Sequence, residues 1–125
     1  MKEQAEKAFQ EMMDISTDLD KAALFRENEI LASNFPESLQ VYMIEKARDM
    51  ASLGDQQSKQ AGSSELTQLM VETDRGSVFV VTEPGDEDMG VLAIAKKDSR
   101  IGLVFYDMKT CIRDAQETPE EGEVA

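Results

Sequence analysis

The stretch Leu66 to Ala115, LTQLMVETDRGSVFVVTEPGDEDMGVLAIAKKDSRIGLVFYDMKTCIRDA, decides the fold. It holds three short runs of β-forming residues, each bounded by a turn, and then a helix whose apolar residues fall on one side. Leu66 to Thr73 is the first run and Asp74-Arg75-Gly76 its turn. Ser77 to Thr82 is the second, Pro84 to Asp88 a looser turn, and Met89 to Ala95 the third. Val78-Phe79-Val80-Val81 and Val91-Leu92-Ala93-Ile94-Ala95 carry apolar side chains on both faces, which predicts strands in the middle of a sheet covered by helices on both sides. Thr67, Gln68, Glu72 and Thr73 make the first run more polar, as suits an edge strand. Lys97 to Gly102 opens the helix, with Asp98 or Ser99 supplying the capping oxygen. Ile101, Val104, Phe105, Met108, Cys111, Ile112 and Ala115 form its buried stripe. Gly102, at the start of that helix, costs about 1 kcal/mol relative to Ala, and so predicts something packed against bare backbone.

Upstream, Ala5, Ala8, Phe9, Met12 and Ile15 recur at three- and four-residue intervals and predict an amphipathic helix. Thr17-Asp18 breaks that pattern. Lys21 to Arg26 reads as a strand, Glu27-Asn28 as a tight reversal in which Asn takes the left-handed conformation, and Ile30 to Ser33 as the returning strand. Pro36 starts a second helix. Its principal stripe is Leu39, Tyr42, Met43, Ala47, Met50 and Leu53, with Val41, Ile44 and Ala51 outside it. That arc is broader than one sheet face covers, so a second flank is left in search of a contact. Gly54 to Glu65 is polar and predicts a frayed helix end and a mobile connection.

The result is an α/β fold: a single layered domain, a five-stranded mainly antiparallel sheet with helices on both faces, in the order helix, two strands, helix, three strands, helix. Residues 1–115 form the domain, and 116–125, where Glu117, Glu120, Glu121 and Glu123 surround Pro119 and Gly122, an acidic disordered tail. A chain of 125 residues suits one domain, burying roughly two-thirds of the surface its unfolded form exposes.

Composition removes several classes of function. The 26 acidic and 13 basic residues leave a net charge of −13, which repels phosphate backbones and anionic lipid heads. No nucleic acid partner and no direct membrane insertion are expected. The N-terminus lacks the apolar segment of a signal peptide, and no apolar run approaches the ~20 residues that span a bilayer, so a soluble, cytoplasmic protein is expected. The chain has no His, which excludes imidazole-based triads and His metal sites. It also lacks the phosphate-binding Gly-Lys-Ser/Thr loop and the dinucleotide fingerprint. Asp86, Glu87 and Asp88 do not make a helix-flanked calcium loop, because Lys97 stands where a closing acid belongs. The single Cys111 reads as a small core residue. No enzyme activity and no cofactor are expected.

Leu69 to Val81 (LMVETDRGSVFVV), Val91 to Ala95 (VLAIA) and Lys97 to Val104 (KDSRIGLV) resemble the roadblock/dynein light-chain domain. Ala23 to Ser33 (ALFRENEILAS) resembles that family's first hairpin. One departure is Glu27-Asn28-Glu29, which stands in place of a turn rich in Asp and Gly. The resemblance implies a dimer in which the middle helix and third strand meet their counterparts and the sheet continues across both copies. It also implies a regulatory or scaffolding platform for a small Ras-like GTPase, or a subunit of a motor or signalling assembly. The residue patterns point the same way. An edge-like third strand exposes backbone donors and acceptors that a second molecule satisfies, and the second helix has its surplus flank.

The candidate dimer or partner interface is therefore Val41, Met43, Ile44, Ala47, Met50 and Ala51 on the helix, with Leu69 and Val71 on the strand. The 8 methionines suit either a core or an adaptable surface. A homodimer is the leading expectation, and a heterodimer with a related chain stays open. The alternative from another class is a small-molecule sensory domain with a pocket between sheet and helices.

Overall fold

The computed structural model describes residues 2–60, 68–83 and 89–116. Three helices, α1 (Lys2–Ile15), α2 (Glu37–Gln60) and α3 (Ile101–Gln116), surround five strands: β1 (Leu19–Arg26), β2 (Glu29–Ser33), β3 (Gln68–Thr73), β4 (Gly76–Glu83) and β5 (Met89–Lys96). The strands lie in the order β2-β1-β5-β4-β3 and every neighbouring pair is antiparallel. β4 and β5 are interior, as their two-sided apolar character requires, and β3 is an edge. β1 is interior as well.

The sheet divides the core in two. On one face Ala5, Phe9 and Met12 of α1 and Val104, Met108 and Ile112 of α3 pack with Leu24, Phe79 and Val91. On the other face Phe35 and, from α2, Ile44 and Ala47 pack with Ala23, Phe25, Val80 and Leu92. Alternation along the strands sends successive residues to opposite layers. Leu69 and Val71 accordingly pair with Val80 and Val78 on the α2 side, while Met70 joins the α1–α3 side.

Several local expectations change. Glu27, not Asn28, takes the left-handed conformation in the β1–β2 turn, at φ 54°. Its carbonyl accepts a 2.7 Å hydrogen bond from Arg48 Nε, so α2 ties down the strained turn. Neither Asp98 nor Ser99 caps α3. Asp98 sits at φ 63°, and the first helical hydrogen bond runs from Val104 N to Arg100 O. Arg100 is instead clasped by Asp18, with backbone N and Nε donating to Oδ2 at 2.9 and 3.1 Å, which joins the α1–β1 turn to the start of α3. These bonds hold the Asp18 carboxyl below its ordinary range. Gly102 meets nothing within 4 Å, so the expected close contact at bare backbone is absent.

α2 runs on to Gln60 rather than fraying after Leu53, supported by the Lys59–Asp55 ion pair at 3.0 Å. The remaining connection, 61–67, the 84–88 turn with its acidic triplet, and 117–125 lie outside the described residues. Gln116, expected to begin the tail, still belongs to α3.

Cys111 is buried, and that burial, with Asp114 and Glu11 adding to it, pushes its thiol up to about 12. At pH 7 the reactive thiolate is then about one part in 10⁵. Iodoacetamide is expected to leave the native chain unmodified over hours and to alkylate Cys111 promptly in denaturant, as mass spectrometry would show. Rapid native labelling would contradict the core placement.

Candidate interaction surface

Strand and helix dimensions decide which face is incompletely covered. Strands of eight residues run about 26 Å along their length, and a helix with its side chains is about 10 Å across, so a helix that meets all five strands as α2 does covers one band of the sheet. Two helices cover the α1–α3 face. α2 alone cannot cover the other. Val78 and Ile94, in the middle of the uncovered half, are only half-buried, and so is Leu69. Val71, beside them on the edge strand, is 43% exposed.

The predicted interface residues separate into three groups. Val41 is 67% exposed and Val71 is open to solvent, so both are free to meet a partner. Met43, Met50 and Leu69 are half-buried at the margin of the α2-side core, and Ala51 is half-buried as well. Ile44 and Ala47 are buried within the chain itself. Ile44, expected outside the principal stripe, is corrected to the core, and Ala47 keeps its stripe position there: they are the residues by which α2 grips the sheet, against Phe25, Val80 and Leu92. Leu39, Tyr42 and Leu53, read as the principal buried stripe, are exposed instead.

The phase of α2 is thus turned relative to the sequence expectation, yet the surplus flank exists. At ~100° per residue, Leu39, Tyr42 and Leu53 lie together along one side and Met43 and Met50 bridge from that side to the core. Lys46 sits in the same row, its ammonium 5.3 Å from the Tyr42 ring centre. A signal for the correct phase is present in the chain. Glu45, Lys46, Asp49 and Ser52 occupy one side of the wheel, and Ile44, Ala47 and Ala51 lie across from them.

The edge strand supplies the second element. β3 pairs only with β4 among the described strands, from Gln68↔Val81 to Thr73↔Gly76, so one of its sides offers unpaired backbone groups. The Thr73 hydroxyl donates to Gly76 O at 2.8 Å and accepts from Arg75 N at 3.2 Å, which fixes the β3–β4 turn and with it the register of the edge. The α2 flank, the uncovered sheet half and the β3 edge are contiguous.

Elsewhere, a hollow of about 440 Å³ lies beside α3 and the end of β4, lined by Val81, Thr82, Glu83, Lys109, Ile112, Arg113 and Gln116. Among the described residues no group of three acidic or Cys side chains is placed to hold a metal ion, and no helix is long and apolar enough to cross a membrane.

A five-stranded antiparallel sheet with two helices on one face and a single long helix on the other is the roadblock fold, and the chain has it. Three solved structures carry the likeness. A roadblock/LC7 domain from Streptomyces avermitilis superposes with a TM-score of 0.78 at 15% identity, covering 89% of this chain and 93% of that one. The gliding protein MglB from Thermus thermophilus gives 0.67 at 17% identity, over 93% and 91%, and MglB from Myxococcus xanthus 0.68 at 15%, over 90% and 85%. No family model matches the chain, and no curated protein matches its sequence.

Proposed function

We propose that the chain is a non-enzymatic adaptor that dimerises through α2 and the β3 edge and presents the paired α2 surface to a small Ras-like GTPase. The half-covered sheet face carries this reading. A second copy brings the second helix that the face lacks, and its β3 continues the sheet from the open edge. Exposed Val71, the Leu39, Tyr42 and Leu53 row and the half-buried Met43 and Met50 then become the contact, and Val41, on the other flank of α2, is left to the GTPase. The fold shared with roadblock domains and MglB supports the same arrangement. A platform of this kind acts on a GTPase by binding one conformation of its switch regions better than another, which shifts their populations. The hollow between the end of β4 and α3 is where the sensory alternative needs a pocket, but charged Glu83, Lys109 and Arg113 make much of its lining, unlike the mostly apolar walls of a small-molecule site.

Light scattering tests the dimer. The chain of 13.9 kDa is expected to run at twice that mass, and Val71→Asp or Tyr42→Asp, each on an exposed side chain, to shift it to single mass with an unchanged circular dichroism spectrum. Ile44→Asp is not a usable probe, since a buried charge there unfolds the domain before it reports on assembly. Unchanged dimer mass in both variants would overturn the pairing. Immobilised dimer is then expected to retain a small GTPase from the native host in one nucleotide state and release it in the other. Retention of none in either state removes the GTPase from the proposal.

A further inference from the structure

The face opposite α2 has an opening of its own. A groove of about 40 Å³ runs between α1 and α3, and Glu11, Ile15, Asp107 and Asp114 are among its walls. Ile15, which the sequence pattern assigns to the α1 stripe, is 68% exposed. Leu103 and Tyr106, one turn before Asp107 and Thr110 on α3, are exposed too, Tyr106 to 62%. Ile15 therefore stands in the groove wall, and Leu103 and Tyr106 lie beyond it on the α3 side.

Asp107 gives the groove a chemistry. Its residue is only 8% exposed, and its Oδ2 is buried without a hydrogen-bond partner. A buried carboxylate oxygen left unpaired costs free energy that a hydrogen-bonding cation recovers. Arg100 is close enough to feel the charge of Asp107, but its guanidinium is engaged by Asp18 and Thr17. Among the described residues no side chain hydrogen-bonds that oxygen.

We infer that this groove docks an amphipathic helix of a basic partner protein, its apolar side chains against Ile15, Leu103 and Tyr106 and a Lys or Arg reaching the Asp107 carboxylate. A second copy of the chain does not suit the place. It would set Glu11, Asp14, Asp107 and Asp114 against their own counterparts in a protein already at −13. The groove lies on the far side of the sheet from the proposed dimer surface, so both can be occupied together.

The full chain, labelled with ¹⁵N, is titrated with a synthetic amphipathic peptide of Leu and Lys at helical spacing, and with the same peptide carrying Glu for Lys. Amide shifts are expected to cluster at Ile15, Leu103, Tyr106, Asp107 and Thr110 with the Lys peptide and to be absent with the Glu peptide. Asp107→Asn is expected to weaken binding about tenfold. Tyr106→Ser, on an exposed side chain that cannot disturb the core, is expected to weaken binding as well. Glu6→Gln, an equal change in net charge at an exposed position of α1, is the control and leaves affinity unchanged. Equal weakening by Asp107→Asn and Glu6→Gln, shifts confined to α2 and β3, or no shifts at millimolar peptide would each overturn the assignment.

Discussion

Phe79→Ala is expected to lower folding stability by about 3–5 kcal/mol. Phe79 is fully buried on the interior strand β4. Its ring meets Phe105 of α3 edge-on, with centroids 5.0 Å apart and planes at 79°, a geometry that contributes beyond the area buried. Truncation leaves a cavity between a strand hydrogen-bonded on both sides and a helix fixed at its start by the Asp18–Arg100 clasp, so little collapse can offset the loss. Against a total of about 5–15 kcal/mol for a domain, that is a large share. Urea unfolding checks it: the midpoint should fall steeply at constant slope, and Phe79→Leu, which keeps most of the volume, should cost under about 1.5 kcal/mol. An alanine variant within about 1 kcal/mol of the parent would mean that this layer is not close-packed.

Phe79 was legible in the sequence because an uninterrupted apolar strand admits few readings, and the α3 stripe was legible because six of its seven residues share one side and are buried. The seventh, Ile101, and Ile15 of α1 were misplaced for a common reason. Each continues its stripe by one position at a helix terminus, where the neighbouring layer has ended and periodicity carries no information about what lies opposite. The α2 phase failed differently. Apolar residues occupy most of its circumference, so a stripe drawn through the largest of them follows Leu39, Tyr42 and Leu53, which the chain leaves exposed. The sheet instead takes Ile44, which that stripe left out, together with one of its own members, the small Ala47, whose side chain lets the helix approach closely. The edge position of β3 was legible from its polar residues, and Leu69 and Val71 share its α2 side. The groove at Asp107 was not. A lone Asp on a helix reads as solvated until its neighbours from α1 are in place.

Gly76→Ala is expected to be the most damaging of the glycine substitutions at the β3–β4 turn and α3 start. Gly76 opens β4 at φ 156°, a conformation that side-chain-bearing residues rarely adopt, at a cost of roughly 1–3 kcal/mol. A Cβ there would also stand 2.5 Å from the Ala95 carbonyl oxygen. That oxygen belongs to the backbone of β5, which is paired on both sides, and cannot rotate away as a side chain would, so overpacking adds a similar amount. The chain can relieve the clash by moving the β3–β4 turn. That motion pulls on the Thr73 bonds to Gly76 and Arg75 and on the register carrying Leu69 and Val71. Dimer affinity should therefore fall along with stability, whereas Phe79→Ala should act on stability first. Amide exchange along β3 distinguishes the two: faster exchange confined to Gln68–Thr73 and the turn is expected for Gly76→Ala. Gly102→Ala is the matched control, with open space at the position and a helical backbone, and should be neutral or stabilising by up to about 1 kcal/mol. If Gly76→Ala proved as harmless as Gly102→Ala, β4 would not be held against β5 at Gly76 in the register described, and the edge strand β3 that pairs with it would lose its fixed position.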